Sequence, residues 1–459
     1  MVPLTRASAS LPKLIGDNVH VPCVDGRIER YVNLDYAAST PVMADVWEAV
    51  EAFVPWCSSV HRGTGAKSQV STAAFEDARE DVKALVGARA DDQVVFVRNT
   101  TEAINVLAAA LPAGTRVLTS PAEHHANMLP WRRHDVRMLP FTRSPEELLE
   151  ACERALREAP VDLLAVTGAS NVSGEIWPLA ELAALAHAHG AELFADAAQL
   201  VAHHPVDMAR SGVDHLALSG HKLYAPFGAG ALVAGRERLR DAAPLLHGGG
   251  AVKLVTLDDV IWADAHERHE AGSPNVVGVV ALAAACRRLR ECGMEAVAAH
   301  ERRLAERLWR GLEEVPGLRM LRQWTSDAAE RVGLAAFTLE GQPHSRLAAI
   351  LSAEHAIGVR HGCFCAHPLI TRLLGISGAE HARLGRELRA GRRPQLPGAV
   401  RASMGLGTTP ADVDRLTGAL RAIAESGPRW RYRHVAEHDE YEPCPPTRPM
   451  GDVQRAARA

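Results

Sequence analysis

Five short apolar runs, each ending at a loop that opens on a polar residue, limit what this chain can fold into more than any other feature. They span residues 94–97, 116–120, 163–167, 191–195 and 215–218. Apolar runs of this length bounded by loops read as buried strands. Alternating with helical stretches, they call for a mainly parallel sheet with helices on both faces. Ligands of such sheets gather at the carboxyl ends of the strands. The residues following these runs are Thr101, His124, Asn171, Asp196 and Lys222, so one shared site is expected there.

The last run leads into Ser219-Gly220-His221-Lys222-Leu223-Tyr224, followed by Ala225-Pro226-Phe227-Gly228-Ala229-Gly230. A lysine where a buried strand opens into a loop suits a Schiff base, because burial lowers its pKa and frees the amine as a nucleophile. A lone lysine in a turn is more often a surface residue. What changes the balance is Asp196, which closes the run before it, 26 positions upstream. A carboxylate that keeps a pyridine nitrogen protonated, with a lysine that holds the aldehyde, is the pair pyridoxal phosphate (PLP) requires. Thr100 and Thr101, between a strand and a helix in Arg98-Asn99-Thr100-Thr101-Glu102, offer hydroxyls and a positive helix terminus to a phosphate. An ordinary threonine helix cap is the other reading of that segment.

The segment from Asp196 to Gly230 resembles the PLP-dependent class V aminotransferase superfamily, closest to its cysteine desulfurase and selenocysteine lyase branch. The similarity runs, with interruptions, from about residue 32 to about 426. It implies PLP-dependent transferase fold type I: an α/β chain whose large domain has a mainly parallel sheet flanked by helices, with a smaller α+β domain. In Pro121-Ala122-Glu123-His124-His125-Ala126-Asn127, the resemblance gives His124 the place stacked on the pyridine ring and a part in proton transfer. Asn171 and Gln199 match partners of the cofactor's phenolic oxygen, and Ser219 and His221 are expected cofactor contacts beside Lys222. Ser273, in Glu270-Ala271-Gly272-Ser273-Pro274-Asn275, stands where the family has a threonine reaching the neighbouring subunit's phosphate, so a homodimer with shared sites is implied. His61 and Arg62 resemble a His-Arg pair facing the substrate. Arg401 matches the arginine that grips the substrate's α-carboxylate, with Arg360 supplying further positive charge.

The segment Val359-Arg360-His361-Gly362-Cys363-Phe364-Cys365-Ala366-His367-Pro368 matches the family's stretch around its sulfur-accepting cysteine, which gives that place to Cys365. A thiolate can attack the sulfur of a bound cysteine and become a persulfide. Cys363 stands where close members carry histidine, and the two thiols could also form a redox pair. A Cys-x-Cys alone is too little for zinc, and no metal is expected.

A chain of 459 residues suggests two domains. The expected plan is an N-terminal extension at 1–30, a large PLP-binding domain at 31–280 whose first part can contribute to the smaller one, a small C-terminal domain at 281–426 with an inserted polar-faced helix near 377–397, and a tail at 427–459. A net charge of −4 gives no hint of nucleic-acid binding. No apolar stretch approaches membrane-spanning length, and the first ten residues lack the apolar core of a secretory signal. Eight sparse cysteines fit a reducing cytoplasm. The leading expectation is a desulfurase that releases sulfur from L-cysteine through a persulfide on Cys365, leaving alanine and passing the sulfur to an acceptor protein. The alternatives are another class V PLP enzyme of specialised metabolism (a C–S or selenocysteine lyase, an aminotransferase or an epimerase), or a sulfur-relay scaffold.

Overall fold

The computed structural model describes residues 11–326 and 329–444. Residues 1–10 of the expected extension and 445–459 of the expected tail lie outside them.

The apolar runs form the middle of a seven-stranded sheet: β1 Asp92–Val97, β2 Arg116–Thr119, β3 Asp135–Met138, β4 Leu163–Thr167, β5 Glu192–Asp196, β6 His215–Ser219 and β7 Gly230–Gly235. Their spatial order is β1-β7-β6-β5-β4-β2-β3. Only β7 runs antiparallel to its neighbours. Every residue of β4 and β6 is buried, as expected of strands covered on both faces. The expected α/β class is therefore the observed one.

Two strands are not legible in the sequence. β3, at the sheet's edge, carries no buried residue. β7 is an apolar run flanked by glycines, with no functional residue at its end to mark it. Gly230 is required there: an added Cβ would lie 2.6 Å from the Leu218 carbonyl oxygen and 2.9 Å from the Asn99 Cα. Because backbone on both sides cannot yield, Gly230→Ala is expected to destabilise the protein by about 1–3 kcal/mol. Lowered midpoints in denaturant unfolding would show it; an unchanged midpoint would mean that the strands can separate freely.

A second, four-stranded antiparallel sheet has the order Leu318–Leu321, Leu334–Leu339, Ala399–Ser403, Arg360–Gly362. The helices Met294–Glu313, His344–His355 and Pro410–Ser426 cover it, and Leu308, Phe337, Leu351 and Leu416 belong to its separate core. Val32 and Leu34 join that core, and Val32–Asn33 pairs in parallel with Ile357–Gly358.

Three segments differ from expectation. Residues 20–30 form a hairpin, His20–Pro22 with Ile28–Arg30, and the chain there is not loosely attached. The Val24 amide donates to the Ala353 carbonyl at 2.9 Å, and Arg30 pairs with Asp412. Strands of three residues are too short to leave a periodic signal. The expected tail likewise contains a hairpin, Arg431–Val435 with Glu440–Cys444. A serine ahead of an apolar helical pattern reads as a helix cap, yet the helix around Ser71 spans Ala66–Val86 and the Ser71 hydroxyl accepts from the Ser58 amide. The inserted segment does hold a helix, Gly378–Arg389, with Ser377 as its cap and Leu384 its buried residue. No helix among the described residues is long and apolar enough to cross a membrane.

Candidate active site

A cavity of about 580 Å3 lies where β1, β2, β4, β5 and β6 end, closed on its far side by the second sheet. Thr100, Thr101, His124, Asn171, Asp196, Gln199, Ser219, His221 and Lys222 line it from the first sheet. Arg360, Cys365 and Arg401 line it from the second.

At one end, β1 delivers Asn99, whose side chain accepts from the Glu102 amide and caps the helix Thr100–Ala110. The Ser219 hydroxyl receives the Thr100 amide at 2.8 Å and lies 2.8 Å from the Thr100 hydroxyl. Hydroxyls from two strands thus converge at a helix N-terminus, where the aligned peptide dipoles favour an anion.

Asp196 is 5% exposed. Burial, the largest influence, raises its pKa, opposed by the Ala198 amide and by the charge of Lys222. Burial likewise pulls the Lys222 amine down to about 8; Asp196 works against this shift and Arg401 adds to it. A buried carboxylate with no ion pair within 4.0 Å among the described residues fits a protonated ring nitrogen. A lysine with a depressed pKa fits an aldehyde, and the hydroxyl-lined helix terminus fits a phosphate. The donor set therefore suits pyridoxal phosphate.

His124 accepts the Ala126 amide at Nδ1, 3.0 Å away, which puts the ring proton on Nε2. Burial, with Lys222, His125 and Arg401 nearby, lowers its pKa to about 3, so the ring is neutral. Asn171 donates to the Phe364 carbonyl at 2.7 Å, and Gln199 to the Ala37 carbonyl at 2.7 Å. Each amide nitrogen has a second N–H left for a ligand.

Arg401 is 3% exposed. It donates to the Asn171 carbonyl at 2.8 Å and stands 3.5 Å from Asp35, while its Nε has no hydrogen-bond partner among the described residues. Burial lowers its pKa to about 10, with Asp35 acting in the opposite direction, so it stays charged at neutral pH. Arg360 pairs with the same Asp35 at 2.9 Å. Asp35 carries no local sequence signal, since its partners Arg360 and Arg401 are distant in the chain.

Cys365 is exposed and Cys363 half-buried. Phe364 and Cys365 have φ of 54° and 55°, a left-handed conformation that costs about 1–2 kcal/mol per non-glycine residue. Three hydrogen bonds hold it: Asn171 to the Phe364 carbonyl, the His125 amide to the Cys365 carbonyl at 2.7 Å, and the Ala366 amide to the Cys363 carbonyl at 2.9 Å. The Arg401 guanidinium lies 4.9 Å from the centre of the Phe364 ring. At about 0.5–1.5 kcal/mol per hydrogen bond, these contacts roughly offset the strain. Cys365 lines the same cavity as Lys222 and Arg401.

His61, Arg62 and Ser273 do not reach this cavity. His61 bonds Glu76 at 2.9 Å and Arg62 the Val252 carbonyl at 3.2 Å. Glu76 and Glu270 both pair with Arg79, which links the His61 loop to the segment leading to Ser273. The structure also adds residues with no role expected from the sequence: His344 and His361, Leu396 and Pro397, and His438 and Asp439 line the cavity as well.

The family described as aminotransferase class-V matches residues 32–416. A protein of Klebsiella pneumoniae subsp. pneumoniae named cysteine desulfurase is 36% identical over 406 residues, covering 85% of this chain and 93% of its own. The crystal structure of the cysteine desulfurase CsdA (S-sulfonic acid) from Escherichia coli has a TM-score of 0.73 at 33% identity, over 86% of this chain and 95% of that one. The apo cysteine desulfurase of Thermococcus onnurineus NA1 has a TM-score of 0.76 at 28% identity, over 91% and 100%.

Proposed function

From a chain that belongs to the aminotransferase class-V family, we infer a PLP-dependent cysteine desulfurase that converts L-cysteine to alanine and passes the sulfur to Cys365. What carries this reading is that Lys222, Asp196, Arg401 and Cys365 line one cavity.

Thr100, Thr101 and Ser219 would hold the cofactor's phosphate, Asp196 its ring nitrogen, Asn171 and Gln199 its phenolic oxygen, and Lys222 its aldehyde carbon. When bound, pyridoxal phosphate supplies a ring able to take up the electron pair left on the substrate's α-carbon. Arg401 receives the substrate carboxylate through the N–H groups its own chain leaves free. The Lys222 amine would take the substrate's α-proton. His124, neutral and carrying its proton on Nε2, would serve as a proton donor. The Cys365 thiolate attacks the substrate sulfur; an S–S bond forms as the C–S bond breaks, leaving the carbon skeleton of alanine.

Arg401→Lys keeps the charge but loses the planar fork. Charge-assisted bonds of about 1.5–3 kcal/mol predict a KM for L-cysteine raised roughly 10- to 100-fold, with kcat changed less. An unchanged KM would remove Arg401 from the carboxylate site.

His61 and Arg62 are held left-handed, at φ of 56° and 49°, in the loop that Arg79 links to the Ser273 segment. In a homodimer these residues would complete the partner's site, with Ser273 on its phosphate. The eight cysteines are all free thiols, in keeping with a reducing cytoplasm, and an acceptor protein would take the sulfur from the exposed Cys365.

Incubating the PLP-loaded protein with L-cysteine and a reductant, and quantifying alanine, sulfide and pyruvate together, tests the assignment. Alanine with sulfide is expected; pyruvate in place of alanine would move the enzyme to the C–S lyases.

A further inference from the structure

Two stretches with no expected role contribute to the lining of the cavity. The C-terminal hairpin Arg431–Val435/Glu440–Cys444 lies beyond residue 416, where the family match ends. The second stretch, residues 390–398, follows the inserted helix. Both bring side chains into the cavity that holds Lys222 and Arg401: His438 and Asp439 from the hairpin's turn, Leu396 and Pro397 from the other stretch.

Neither is loosely draped. The Glu354 carboxylate, 2% exposed, accepts the Arg429 amide at 2.9 Å, the Trp430 amide at 3.1 Å and the Tyr432 hydroxyl at 3.1 Å. A buried carboxylate with three donors fixes the base of the hairpin to the helix His344–His355. At the tip, the His438 amide donates to the Val435 carbonyl, His434 bonds Asp439 at 2.9 Å, and Arg393 donates to the Glu437 carbonyl at 3.1 Å. That last bond joins the two stretches. His344 lies 3.1 Å by its Nε2 from the Leu396 carbonyl, to which it donates, and by its Nδ1 3.3 Å from His361 Nδ1. A carbonyl can only accept, so a neutral His344 has its lone pair on Nδ1 and receives the His361 proton there. The wall is thus tied to the strand Arg360–Gly362 that leads into the Cys365 loop.

A wall fixed at its base, its tip and its inner face cannot yield cheaply to a longer ligand. We propose that the His438–Asp439 turn, backed by Leu396 and Pro397, is the specificity-determining end of the substrate cavity, admitting an amino acid with a free β-thiol and excluding those extended at sulfur. This rests on the desulfurase reading for the identity of the preferred substrate.

The test uses the full-length, PLP-loaded protein and follows the cofactor's visible absorption during titration with L-cysteine and with S-ethyl-L-cysteine. The variant is His438→Ala/Asp439→Gly; glycine keeps the turn, because Asp439 has φ of 53°. One or two methylenes clashing with or fitting a pocket are worth roughly 10- to 200-fold. The ratio of the thioether's dissociation constant to that of L-cysteine is therefore expected to fall at least roughly tenfold. Glu354→Ala, which frees the hairpin from outside the cavity, is expected to shift the ratio in the same direction. A ratio within about twofold of the parent in both variants would overturn the proposal. The titrations read binding and not turnover, so they decide the role of the wall even where L-cysteine yields no alanine, the result that would instead overturn the desulfurase reading.

Discussion

Lys222→Ala is expected to abolish alanine formation, with a fall in kcat of at least roughly 10⁴-fold, because in the proposed mechanism one side chain both anchors the cofactor and moves the α-proton. Borohydride treatment followed by peptide mapping should find the cofactor attached at residue 222 in the parent protein and at no lysine in the variant. Retained attachment elsewhere, or retained turnover, would reassign both roles. Lys222→Arg should fail equally, since a guanidinium keeps the charge and offers no nucleophile. The pH dependence follows from the pKa of about 8. This value lies below the ordinary one, so the free amine appears at lower pH than for an exposed lysine. Below pH 8 the reactive fraction falls about tenfold per unit, so capture of the cofactor by apoprotein should slow by that factor and level off above pH 9. A capture rate still climbing tenfold per unit through pH 9 to 10 would show that burial does not depress the amine.

The sequence was most legible where local pattern and chemistry coincide. β4, β5 and β6 are apolar and end on residues that lie in the cavity, so strand and site mark each other. Lys222 and Asp196 could be read because a lysine and an aspartate at successive strand ends are hard to explain by packing. Asp35 was less visible, since its importance lies in the distant Arg360 and Arg401 that it neutralises. The wall at His438 and Asp439 was invisible for a related reason. Its hairpin depends on Glu354, far away in sequence, and alternation over two five-residue strands with mostly exposed side chains carries no apolar signal. His61, Arg62 and Ser273 illustrate another limit: resemblance singles them out, while the fold of one chain leaves them out of the cavity.

Cys365→Ser separates binding from sulfur transfer. A hydroxyl at this place keeps the shape of the strained turn but is a far weaker nucleophile toward sulfur at neutral pH. Alanine formation is expected to fall by at least roughly 10³-fold. L-Cysteine should still change the cofactor's absorption with a dissociation constant within a few-fold of the parent's, because Arg401 and Lys222 are untouched. Cys363→Ser is the informative companion. Cys363 lines the same cavity as Cys365, two residues before it on a turn whose backbone is left-handed at Phe364 and Cys365. If the turn exists to present Cys365 alone, Cys363→Ser retains most turnover, and a persulfide is found by mass spectrometry on the peptide's Cys365. If both single variants retain turnover and the double variant loses it, either thiol can accept the sulfur, and the strain does not select one position. Full alanine formation in the double variant would mean that another nucleophile accepts the sulfur, whereas sulfide with pyruvate in place of alanine would mark an elimination.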